Sequence, residues 1–139
     1  MNNQLKYGDI TEKIIGCALE VHKFFGNGFQ EVIYQRALAL ELTNAGLNFG
    51  MEVEMPIFYK NYKEPIGIRR ADVIVEDKVL VELKAVISLE DVHLAQALNY
   101  LRAFQLEVGL LINFGAKSLE FKRLIMDHRT KLESRIERI

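Results

Sequence analysis

The chain has 139 residues, half of them apolar, and 18 Lys and Arg against 19 Asp and Glu give a formal net charge of −1. That length and apolar content predict a single globular domain over 1–139 and argue against disorder, while the near-neutral balance argues against a surface coated in positive charge but allows a local basic patch. One cysteine, Cys17, allows no internal disulfide, no charged leader opens the sequence, and no apolar run approaches the roughly 20 residues of a membrane helix, so a soluble cytoplasmic protein is expected.

In chain order, Ile10, Ile14, Ala18, Val21 and Phe25 recur at helical spacing, and Asp9 or Thr11 is available as N-cap of a first helix over 9–25. "GNG" at 26–28 ends it. A second helix is predicted over 29–45, with Gly46 as its stop. Alternation then replaces helical spacing at 51–60, 66–75 and 79–86, which predicts three antiparallel strands. "SLEDVHLAQALNYLRAFQ" at 88–105 reads as a third helix opened by an approximate capping box of Ser88 and Asp91. "VGLLINFG" at 108–115 reads as a buried strand, 118–126 as an edge strand or short helix, and the charged tail 128–139 as a helix.

The hairpin "RADVIVEDKVLVELKAV" at 69–85 raises the functional question, because Asp72, Glu82 and Lys84 stand among β-formers. Alternation puts Glu82 and Lys84 on one face. A three-residue turn of Glu76, Asp77 and Lys78 would set Val75 against Val79, and hence Asp72 against Glu82 and Arg70 against Lys84. Like charges about 5 Å apart are destabilising, so a hard divalent cation between the carboxylates is one resolution. A solvated face with diagonal ion pairs is the other. Two features favour the cation. Glu31 lies on the stripe of Tyr34, Leu38 and Leu42, where a carboxylate is costly unless paired or metal-bound. His93, Gln96 and Tyr100 form a polar stripe on the third helix, offset from its leucines.

Asp72 followed by "ELK" at 82–84 resembles the metal-binding signature of the PD-(D/E)XK nuclease superfamily, with alanine in place of the proline before Asp72. "GFQEVIY" at 28–34 resembles the motif of its GxxExxY branch, and "QALNY" at 96–100 resembles the Gln-x-x-x-Tyr element of its exonuclease-like branches. The likeness runs from about Ile10 to Ile125. It implies an α/β fold with a restriction-endonuclease-like core, a mixed central sheet of antiparallel hairpin strands plus a later strand, flanked by helices. It also implies a site for Mg²⁺ or Mn²⁺ held by Asp72, Glu82, the Leu83 carbonyl and Glu31, with Lys84 beside the attacking water.

On that resemblance Glu31, Asp72, Glu82 and Lys84 are the expected catalytic set, and Gln96, Tyr100, His93 and Arg70 the expected substrate contacts. The expected activity is metal-dependent phosphodiester hydrolysis, with nucleic acid, DNA foremost, as partner, no membrane, and a homodimer if both strands are cut. The alternative is an inactive nuclease-like domain that binds nucleic acid or a protein. A carboxylate-pair glycosidase using Glu31 and Glu82 is disfavoured by Lys84, whose charge would depress the acid that must stay protonated. The histidines lack zinc-site spacing. Cys17 reads as a packing residue, and Asn113 and Gly115 as the end of a strand.

Overall fold

The computed structural model describes residues 5–128 and 134–137. Two helices come first, α1 (Gly8–Phe25) and α2 (Glu31–Asn44), then strands β1 (Phe49–Ile57), β2 (Gly67–Val75) and β3 (Val79–Lys84), helix α3 (Asp91–Phe104), and strands β4 (Val108–Asn113), β5 (Glu120–Met126) and β6 (Ser134–Glu137). All six strands join one sheet in the order β1-β2-β3-β4-β5-β6. Only the β3–β4 pairing is parallel, because α3 crosses over between those strands; every other neighbour is antiparallel. This is the mixed, helix-flanked α/β arrangement that the resemblance implies. No described helix is long and apolar enough to cross a membrane.

The central strands read "VLVELK" and "VGLLIN", apolar almost throughout, because each is covered on both faces. One core, with Val73, Val81, Leu83 and Ile112, packs beneath α1 and α2; the other, with Leu80, Leu111 and Leu124, packs beneath α3. Alternation changes phase at Glu52 and Asp72. Phe49 and Met51 belong to the first core, whereas Val53 and Met55 belong to the second, and Glu52 sits at φ 50 between them. The outer half of the β1–β2 hairpin is thereby turned to the α3 side.

Several boundaries differ from expectation. α1 starts at Gly8 behind Tyr7 rather than on an Asp9 or Thr11 cap, and Thr11 donates back to the Gly8 carbonyl at 3.2 Å. α3 starts at Asp91, its entry made by Glu90 and His93 in place of Ser88 and Asp91: the Leu89 N–H is drawn 3.0 Å to the Glu120 carboxylate, which holds 88–89 out of the helix. Within segment 118–126 a strand forms over Glu120–Met126, and it is not an edge, since β6 covers it. Over Ser134–Glu137 the expected tail helix is instead β6, paired with β5 and fastened by Glu137, which takes a 2.6 Å ion pair from the fully buried Arg123. Residues 129–133 and 138–139 of that expectation lie outside the described residues.

Candidate metal and nucleic-acid site

The β2–β3 ladder runs Val75↔Val79, Ile74↔Leu80, Val73↔Val81 and stops there. This is the three-residue register, so the next residues, Asp72 and Glu82, fall opposite each other. From that point side chains replace the ladder. Glu82 Oε1 accepts the Asp72 N–H at 3.1 Å, and Asp72 Oδ2 accepts the Leu83 N–H at 2.8 Å. The N–H and C=O of one strand residue project to the same side, so the Leu83 carbonyl faces this same gap.

The electrostatics of the pair are unfavourable by construction. Glu82 is only 8 % exposed, and burial foremost, with repulsion from Asp72 next, raises its carboxyl to about 8 in spite of the Asp72 N–H and Lys84. Asp72 is raised as well, again chiefly by burial, with the Leu83 N–H and Lys84 opposing. Lys84, half-buried at the end of β3, is thus the cation that the acids share.

Glu31 opens α2, exposed, yet its carboxyl is raised by partial desolvation and then by Asp72, with Lys84 lowering it. What sets that helix start is Tyr34. Its ring is fully buried and stacked 4.7 Å from Phe114, while its hydroxyl donates to the Gly26 carbonyl at 2.6 Å and accepts the Phe29 N–H at 3.1 Å. The loop before Glu31 is clamped. Gln35, which is not among the residues expected at the site, donates its side-chain amide to the Asp72 carbonyl at 3.2 Å. A polar residue beside Tyr34 and four after Glu31, on the face that packs on the sheet, was the available signal.

On α3, His93, Gln96 and Tyr100 line a small pocket of about 30 Å³ together with Glu82 and Lys84. His93 is engaged locally, its Nδ1 accepting the Glu90 N–H at 2.9 Å. Burial and Glu82 raise the Tyr100 phenol, and Arg69, 5.6 Å over its ring, lowers it. Arg70 differs from the expectation that set it against Lys84. The ladder ends before that pair, and the guanidinium turns to Glu54 on β1 at 2.7 Å, leaving Arg69 as the arginine beside Tyr100. Outside the site, Cys17 is buried with its thiol raised by burial, as a packing residue would be.

Among the described residues, no three His, Cys, Asp or Glu side chains are gathered closely enough to enclose an ion. The donors that do converge are hard oxygens: the two carboxylates, with the Leu83 carbonyl facing their gap. Such a set suits a divalent cation that keeps water or phosphate in its remaining positions, and the mutual repulsion of Asp72 and Glu82 is what a cation would relieve.

The sequence profile described as PD-(D/E)XK nuclease superfamily matches residues 8–124. No curated protein matches the chain. A crystal structure of SSO0001 resembles it with a TM-score of 0.45 at 18 % identity, over 88 % of this chain and 81 % of that one, a likeness too distant to bear on function.

Proposed function

The chain belongs to the PD-(D/E)XK nuclease superfamily, and from that premise we propose a divalent-metal-dependent nuclease that hydrolyses phosphodiester bonds in DNA, within the GxxExxY branch suggested by Gly28, Glu31 and Tyr34. The observation that carries the reading is the clasp at the end of the β2–β3 ladder, where two carboxylates are held opposite each other against their own repulsion, with Lys84 two residues on. A strand pair built only for stability would not put them there.

Asp72, Glu82 and the Leu83 carbonyl would hold the Mg²⁺ or Mn²⁺, with Glu31 reaching in from α2. The ion, when bound, acidifies water and neutralises phosphate charge. Lys84 orients the attacking water and offsets charge developing on a non-bridging phosphate oxygen. Gln96 and Tyr100 position the phosphate from the opposite wall, and His93 serves by fixing the first turn of α3. A second reading, a domain that binds nucleic acid without cutting it, draws on Glu31 standing outside any closed ligand cluster.

The readings separate when purified protein is incubated with plasmid, linear and single-stranded DNA in Mg²⁺, Mn²⁺ or EDTA, beside Lys84→Ala and Asp72→Ala. Metal-dependent cleavage that falls at least about 100-fold in both variants is expected. Binding without cleavage in every condition would establish the second reading. Cleavage that survives both substitutions would defeat the site assignment.

A further inference from the structure

Beyond the acidic pocket, two open hollows of about 430 Å³ and 610 Å³ follow one another along α3 and share Arg69 and Asn99 in their walls. The first begins at Lys84 and Gln96; the second continues past Arg102 to Phe58 on the β1–β2 hairpin. Among the described residues, the smaller hollow carries Lys84 and Arg69 and the larger Arg69 and Arg102, with no acidic side chain in either wall, in a protein whose net charge is −1. Three cations thus line one channel that leads away from Asp72 and Glu82, and its far end, at Arg102 and Gln105, adjoins a further hollow with Lys6, Glu107 and Asp127 in its wall.

We infer that this channel is the track of a single nucleic-acid strand, with Arg69 and Arg102 meeting successive phosphates and Phe58 receiving an unpaired base. From Gln96 to Arg102 the helix rises about 9 Å, a span that seats about two successive phosphates of an extended strand. Arg69 is steered along the channel by its seat over the Tyr100 ring. At the far end Phe58 is 51 % exposed, and Tyr59 and Tyr62 stack 6.2 Å apart on the adjoining loop with Lys60 over Tyr59. Exposed aromatic faces suit bases, and only an unpaired strand offers bases to stack. Base-independent phosphate contacts and stacking together describe a strand held without sequence readout. The inference rests on the nuclease reading for what lies at the Lys84 end, but not for the track.

Fluorescence anisotropy tests it with labelled oligothymidylate and oligouridylate of about 12 nucleotides in EDTA, where no metal-dependent cleavage intervenes. In Arg69→Gln/Arg102→Gln affinity is expected to fall at least about tenfold, and the slope of log K against log salt to shrink by about 1.4, or about 0.7 per lost phosphate contact. Phe58→Ala is expected to weaken binding roughly fivefold or more. The control Lys13→Gln/Lys23→Gln removes the same charge from exposed positions on α1, across the sheet, and should bind within about twofold of the parent. All these side chains are exposed, so folding is not at stake. Equal losses in the two double variants, tighter binding of duplex than of single strand, or no single-strand binding at all would overturn the track. Arginine-dependent binding by a protein that never cleaves would sink the nuclease reading and leave the track standing.

Discussion

A carboxylate buried beside another carboxylate resists ionisation, and Glu82, held to about 8, should make the metal-free protein respond to pH in a defined direction. Its folded value lies above the ordinary 4.5, so its contribution to stability is full below about 4.5 and is lost as the pH rises through about 8. Asp72 and Glu31, also raised, act in the same sense. In EDTA the denaturation midpoint should fall between about pH 5 and pH 9, the fall should be shallower in Glu82→Gln, and the variant should be more stable at about pH 8 by roughly 1–3 kcal/mol. Mg²⁺ or Mn²⁺ should restore the parent at the alkaline end and leave Asp72→Asn unmoved. A parent profile that does not fall over this interval would mean that solvent reaches Glu82 more freely than its burial implies.

At the scale of elements, the turn between β2 and β3 carries the site geometry. Val75 and Val79 pair across it, the Lys78 N–H returns to the Val75 carbonyl at 3.0 Å, and both Glu76 and Asp77 sit at φ 55. Glu76 uses this conformation, since its carboxylate accepts the Asn48 N–H at 2.7 Å. Asp77 makes no such bond to any described residue, and a non-glycine residue there is strained by roughly 1 kcal/mol. Asp77→Gly should therefore stabilise the protein by about 0.5–1 kcal/mol in urea unfolding and leave the register intact; a loss of stability would show that Asp77 holds the turn by other means. The register itself was legible, because the spacing of Val75, Val79, Asp72 and Glu82 admits only one turn length that brings the acids together. Helix starts were less so. α2 begins at Glu31 because the Tyr34 hydroxyl ties up Phe29, and α3 at Asp91 because Glu120, from a strand 31 residues beyond Leu89, draws Leu89 away. Propensity along the chain does not register contacts made across it.

For the whole molecule, the link between the two walls of the site passes through Asn113, which the sequence marks only as a strand end. It is fully buried, accepts the Val86 and Gly115 N–H groups at 2.9 and 3.0 Å, and donates to the Val86 carbonyl at 2.9 Å and to Glu120 at 2.8 Å. The segment between Lys84 and α3 is thus fastened to β4 and β5. Gly115 is obligatory beside it, since a Cβ there would come within 2.4 Å of the Val86 backbone. Asn113→Ala strands several buried polar groups and should cost about 2–4 kcal/mol in denaturant unfolding; a cost below about 1 kcal/mol would show that water takes over these bonds. The tail escaped the sequence reading for a related reason. "SRIE" is too short to declare a period, and what holds it is the buried guanidinium of Arg123, which also reaches Thr11.

The phase change at Glu52 and Asp72 has a mechanical meaning. Inside it the hairpin is anchored beneath α1 and α2; outside it the hairpin leans on α3, so Asp72 lies at the fulcrum of an arm whose free end carries Phe58 and the paired tyrosines. Five strand residues span about 17 Å, and a rotation of about 10° at the fulcrum carries the arm's end through roughly 3 Å. A ligand seated at the tip would act, with that leverage, on the strand position that carries Asp72.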